Sequence, residues 1–215
     1  IDTITRAITI IGTNQLRDLA LATSVIALFK DIDQSKIDME SFWKHSIAVG
    51  VAARVIATYQ VETNVERFYL MGLLHDIGRL IMLNQIPDVM SGLIEQCHEQ
   101  QKSLYEQEEE VLGFEHGRVG MLFLQSWNLP AQIADAVGHH HHPFRSRSYS
   151  AGASVIHIAD LLANGIQLGS SSGLPLVPAL NEKAWDCLGL SSALVPDMLE
   201  RIDVQYHEAV EIFLS

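Results

Sequence analysis

The sequence predicts an all-α fold in a single domain. Apolar residues recur at i, i+3, i+4 and i+7 through most of the chain, and prolines and capping residues bound those runs. No stretch alternates apolar with polar residues as a half-buried strand would. No internal repeat is visible, and 215 residues at 48% hydrophobic content suffice for one substantial core or two small ones.

Each element follows from a local signal. Ile4, Ala7, Ile8 and Ile11 have helical spacing before Gly12, and Asn14 offers an N-cap for a second helix to about Phe29. The charged stretch Lys30 to Asp38 reads as a connection. Ser41 to Tyr59 follows as an amphipathic helix, with His45, Val49, Ala52 and Ile56 on one stripe, so His45 faces inward. Thr63 and Glu66 have capping-box spacing and open a helix carrying Phe68, Met71, Gly72 and His75 on one face. Gly78 marks a bend, a short helix resumes towards Leu83, and Pro87 opens the next, to about Gln101. Ser103 and Glu106 form another capping box, Gly113 ends that helix, and Glu108-Glu109-Glu110 reads as a solvated face.

A helix from about Glu115 to Trp127 begins with His116, and its Gly117 and Gly120 leave room for close approach by a backbone or a ligand. Pro130 starts the helix that ends in His139-His140-His141-His142. There Ile133, Ala136, Val137, His140 and His141 share a stripe, with His139 and His142 to the side. The loop Pro143 to Tyr149 holds Arg145 and Arg147. The long helix around Val155–Ala163 contains one carboxylate, Asp160, with His157 one turn earlier as its candidate donor. Gly169 to Pro178 is a Gly-, Ser- and Pro-rich loop, Asn181 caps a short helix ending at Gly189, and Pro196 fits the first turn of a terminal helix reaching Phe213.

Composition excludes several function classes. A formal charge of -12, from 26 acidic against 14 basic residues, argues against a broad nucleic-acid surface. Cys97 and Cys187 lack CxxC spacing, which argues against a structural zinc site or a disulfide framework and makes a reducing cytoplasm the expected setting. No apolar run approaches the roughly 18 residues of a membrane span. No secretory signal is visible at the start, which is Ile1 rather than Met.

Against this background His45, His75, Asp76, His116, His140, His141 and Asp160 all fall on inward faces or helix ends. Imidazole and carboxylate donors without thiolates suit zinc, iron, manganese or nickel, and a shared aspartate could bridge two ions. Taken singly, His45 and the His75-Asp76 pair read as buried, hydrogen-bonded side chains with no metal, and only the coincidence of all seven residues turns the reading towards one.

The combined pattern resembles the HD superfamily of metal-dependent phosphohydrolases, whose H…HD…D is matched by His45, His75-Asp76 and Asp160, with the additional histidines of its two-metal members matched by His116 and His140-His141. More specifically, Phe42-Trp43-Lys44-His45-Ser46, Gly72 to Leu80, Glu110 to His116 and Trp127-Asn128-Leu129-Pro130 resemble the HDOD branch of bacterial signalling output domains. In that branch two histidines typically fall 13 and 14 positions after the Trp, here His140 and His141. The resemblance implies one HD-type helical domain over 1–215, beginning partway into the family's usual length and so lacking its first helices. It also implies a site for one or two divalent ions.

The related branch that hydrolyses cyclic dinucleotides carries a glutamate four residues before the first histidine and a lysine three after the HD pair. Here Ser41 and Arg79 stand there, and Pro143-Phe144-Arg145-Ser146-Arg147 replaces that branch's GYP signature. An arginine holds a phosphate but does not exchange protons near neutral pH. Two expectations follow. The first is a regulatory output domain acting through a nucleotide ligand or a signalling protein partner. The second is an active phosphohydrolase on a nucleotide or cyclic dinucleotide, in which Asp76 and Arg79 would be catalytic and Arg79, Arg145 and Arg147 the phosphate contacts.

Overall fold

The computed structural model describes residues 13–29, 37–169 and 177–214. Among them all regular structure is helical: α1 (Thr13–Ala27), α2 (Met39–Tyr59), α3 (Val65–Leu74), α4 (Ile77–Gln85), α5 (Pro87–Gln100), α6 (Leu104–Leu112), α7 (His116–Ser126), α8 (Ala131–Gly138), α9 (Ser150–Gly165), α10 (Glu182–Leu188) and α11 (Val195–Leu214). Short 3-10 turns at Pro143–Arg145 and Ser192–Leu194 complete it. The expected helix over Ile4–Ile11, most of the Lys30–Asp38 connection and most of the Gly169–Pro178 loop lie outside the described residues.

Helix α2 is the axis. It is buried on nearly all sides from Phe42 to Ala57, because α3, α9 and α11 pack around it, and a helix covered all round needs apolar residues all round. Its approach to α3 is set by glycine: a Cβ on Gly72 would lie 2.6 Å from the Val49 carbonyl oxygen and 2.7 Å from the Gly50 Cα. A second close crossing joins α4 to α7, where a Cβ on Gly78 would lie 2.0 Å from the His116 carbonyl oxygen. Gly78 therefore brings the residues after the His75-Asp76 pair onto the backbone of His116. The main core runs through α2, α3, α8 and α9, and a smaller cluster under α5 holds Met82, Leu83, Met90, Leu93, Cys97 and Leu104.

Local signals were mostly placed correctly, with instructive exceptions. Asp38 caps α2, accepting from the Ser41 N–H at 3.1 Å, so the helix starts two residues before Ser41. Asn64 caps α3 by accepting from Arg67 N–H at 3.3 Å, in place of the Thr63–Glu66 box. Asn14 lies inside α1. The Ser103–Glu106 box and the Asn181 cap are present. Glu108 departs most: it is fully buried, so only Glu109 and Glu110 of the acidic run reach solvent.

Candidate metal centre

The site is built where helix ends meet. Chain direction changes between α3 and α4 at His75 and Asp76, and Asp76 occupies the N-cap position of α4 without making a side-chain capping bond. Its carboxylate is thus free for tertiary partners. His75 Nδ1 lies 2.7 Å from the Gly72 carbonyl and His140 Nδ1 2.7 Å from the Val137 carbonyl. A carbonyl only accepts, so both Nδ1 atoms carry the proton, and in the neutral imidazole Nε2 offers a lone pair to the interior. His116 is oriented likewise from α7, with Nδ1 2.6 Å from Glu108 Oε2.

These Nε2 atoms converge on Asp76 Oδ1, at 3.0 Å for His116, 3.5 Å for His75 and 3.8 Å for His140. On the neighbouring side His45 Nε2 from α2 lies 3.1 Å from Asp160 Oδ1 of α9, and His75 Nε2 lies 4.0 Å from the same oxygen. Two groups of donors result. Asp76, His116, His140 and His141 form one, and His45, His75 and Asp160 the other, with the ligand atoms of each within 4.8 Å of one another. All seven expected residues are brought together.

The donor set fits a divalent transition metal. His140 is fully buried and its Nε2 has no hydrogen-bond partner, a costly state for a polar atom that a cation would relieve. Orientation of the His75, His140 and His116 rings by a carbonyl or carboxylate on the other nitrogen is the usual support for metal-binding histidines.

Without an ion the electrostatics are divided. Burial pushes His140 down to about 3, with His75 and His116 adding to it. It also depresses His75 and holds His141 well below the ordinary histidine range. His116 goes the other way: burial opposes its charge, but Glu108 and Asp76 outweigh that and raise it to about 10. Asp76 lies well below the carboxylate range because His75, Arg79 and His116 overcome its burial. Glu108 and Asp76 thus favour the charged form of the His116 ring that lies between them.

A cavity of about 260 Å³ opens onto this centre, lined by Asp76, Arg79, Tyr105, His116, His141 and Asp160 among others. Tyr105 stacks on His141, with ring centroids 4.1 Å apart. Of the three arginines considered as phosphate contacts, Arg79 alone lines the cavity. Its Nη1 donates to Asp76 Oδ2 at 2.9 Å. Arg145 is exposed and pairs with Glu109 in a separate hollow, and Arg147 is exposed.

His157 is not the donor for Asp160. Its Nδ1 donates to the His140 carbonyl at 3.0 Å and its Nε2 accepts from Asn181 N–H at 3.2 Å, so it ties α9 to the histidine turn and to α10. Asn164 Nδ2 serves Asp160 Oδ1 instead, at 2.7 Å. Sequence reasoning missed Asn164, Glu108 and Glu115. The last is buried 3.7 Å from His141 Nε2 and pushed up by burial to about 7. Asn164 stands one turn after Asp160, a spacing that could have found it.

A family model for the HDOD domain matches residues 1–143, a span that stops short of Asp160. The fold matches the crystal structure of an HDOD domain protein of unknown function from Geobacter sulfurreducens at 24% identity and TM-score 0.79, covering 100% of this chain and 76% of that one. A proposed phosphohydrolase from Shewanella amazonensis SB2B matches at 21% identity and TM-score 0.64, over 94% of this chain and 77% of that one. A proposed signal transduction protein from Marinobacter aquaeolei VT8 matches at 16% identity and TM-score 0.75, over 94% of this chain and 45% of that one. At these identities the likeness concerns the fold. No curated protein matches the chain.

Proposed function

The chain belongs to the HDOD family, and from that premise we propose that it is a signal-transduction output domain with an HD-type site for one or two divalent transition-metal ions. It acts by binding a nucleotide ligand or a protein partner. His45, His75, Asp76, His116, His140, His141 and Asp160 would hold the metal, as iron, manganese, zinc or nickel. The observation that carries the metal reading is the convergence of three ring-oriented Nε2 atoms on Asp76 Oδ1. What favours regulation over turnover is Arg79: a guanidinium locked to Asp76 holds charge without exchanging protons. No described helix is long and apolar enough to cross a membrane.

A second reading, an active phosphohydrolase, is supported by the cavity, which opens on Asp76, His116, His141 and Asp160. A bound divalent ion would supply a Lewis acid and a water of lowered pKa. Arg79, beside that opening, would hold a phosphoryl oxygen. The two readings separate by assaying phosphate release from nucleotides and nucleotide release from cyclic dinucleotides, with Mn or Fe present. A regulatory domain gives no turnover above that of Asp76→Ala, and turnover lost in that variant establishes the enzyme.

A further inference from the structure

The cavity over the metal donors has further walls that the donors do not account for. Helix α5 ends at Gln101 with a positive φ of 53°, and Ser103 caps α6 two residues later. That reversal sets Lys102 and the first turn of α6 on the cavity. A helix N-terminus carries a partial positive charge, and Lys102 adds a full one. Arg79, 3% exposed and held to Asp76 Oδ2 at 2.9 Å, lines the same space. Two cations beside a metal centre suit a ligand with two negative charges.

The acidic neighbours leave room for such a ligand. Glu106 lines the cavity, but its carboxylate is turned to Ser103, accepting from Oγ at 2.5 Å. Lys102 pairs with Glu110 at 2.5 Å, yet those side chains are 41% and 61% exposed. A surface pair of this kind is worth at most about 1 kcal/mol, so a phosphate can take over Lys102 at small cost.

The rest of the wall is largely apolar and includes Tyr105, Val177, Pro178 and Ala179. A bare inorganic anion gains nothing from such surface, whereas an organic group does. Aromatic surface in particular favours a planar base, by about 1–3 kcal/mol. The cavity, about 260 Å³, falls at the small end of ligand pockets, which span roughly 300–1,000 Å³.

We propose that this cavity takes a nucleoside monophosphate, with its phosphate on Lys102 and Arg79 beside the metal donors and its nucleoside against Tyr105 and Pro178. A terminal phosphate carries about -1.5 to -2 charges at neutral pH. Each linking phosphate of a cyclic dinucleotide carries only one, and that ligand brings two nucleosides to a small cavity. The inference rests on the metal-site reading above, narrows its nucleotide to one class, and holds whether the ligand is only bound or also hydrolysed.

Calorimetry on the Mn(II)-loaded full chain compares guanosine monophosphate, inorganic phosphate and cyclic diguanylate, with bound Mn counted in every sample. Guanosine monophosphate binds at one equivalent, about tenfold or more tighter than either of the others. Lys102→Ala, at an exposed position, weakens guanosine monophosphate and phosphate alike by about tenfold, Lys102→Arg restores both, and Mn binding is unchanged throughout. Guanosine monophosphate that does not bind, that binds no tighter than phosphate or cyclic diguanylate, or that is indifferent to Lys102→Ala overturns the proposal while the bound Mn leaves the metal reading intact. No Mn uptake by the folded wild type overturns the metal reading itself, and this inference with it.

Discussion

Glu108 Oε2 accepts both the backbone N–H of His116, at 2.8 Å, and the proton on its ring Nδ1, at 2.6 Å. One buried carboxylate thus fixes the start of α7 and the ring that faces Asp76. Glu108→Ala removes both bonds and leaves His116 free to rotate. Loss of such an outer partner lowers metal affinity by about 10–100-fold, measured by competition with a chromophoric chelator. Unchanged affinity in the folded variant would confine Glu108 to a structural role.

The metal-free protein has a stability maximum near the ordinary histidine pKa of 6.5. His140, His75 and His141 have depressed pKa values in the fold. Their stabilisation is complete above 6.5 and is lost as pH falls, because the unfolded chain takes up protons that the fold refuses. His116 is raised to about 10, so its contribution is complete below 6.5 and is lost as pH rises towards 10. Each group contributes a slope of up to about 1.4 kcal/mol per pH unit. Denaturant unfolding at several pH values checks this. The acid limb is the steeper, and stability that climbs steadily from acid to alkaline pH contradicts the assignment of His116.

Gly78→Ala separates α4 from α7. The new Cβ would meet the His116 carbonyl oxygen at 2.0 Å and the Gly120 nitrogen at 2.7 Å, both backbone atoms that cannot turn aside. A cost of about 3 kcal/mol or more is expected from such overpacking, with metal affinity falling in parallel because His116 moves. Gly92→Ala, on α5 with nothing within 4 Å, serves as the control and raises stability by about 0.5–1 kcal/mol. Thermal unfolding compares the two, and equal effects would contradict the packing account.

Arg145→Ala leaves metal binding unchanged. Its partner Glu109 is part-exposed and lies outside the cavity, so the pair contributes less than about 1 kcal/mol to stability. Chelator competition on this variant checks the boundary of the site, and weakened binding would extend it to the Pro143–Arg145 turn.

The sequence makes helical register legible, and register placed His45 inward; extended to His140 and His141 it named the pair that joins the Asp76 group, although α8 ends at Gly138 and the four histidines lie in the turn beyond it rather than on the expected helix. The His75-Asp76 pair was equally visible, as two polar residues in an apolar run. Glu108 was not, although Leu104, Gln107 and Glu108 share the buried face of α6. A carboxylate on such a stripe reads as solvated unless its partner is known, and His116 reaches it only after the turn at Gly113, whose positive φ of 76° folds α7 back. His157 shows the converse error. One helical turn separates it from Asp160, but its ring is held between the His140 carbonyl and the Asn181 N–H, contacts across elements that no local spacing announces. The place of Arg145 depended in the same way on tertiary pairing with Glu109.

Elemental analysis of the full chain purified without added metal, beside a His116→Ala, His140→Ala double variant, tests the proposed metal site of these seven residues. A stoichiometric transition metal is expected in the wild type, and its loss in the folded double variant. Less than about a tenth of an equivalent of any transition metal in the wild type, with none taken up from added Mn, Fe, Zn or Ni, contradicts it, since a complete buried donor set binds far more tightly than that.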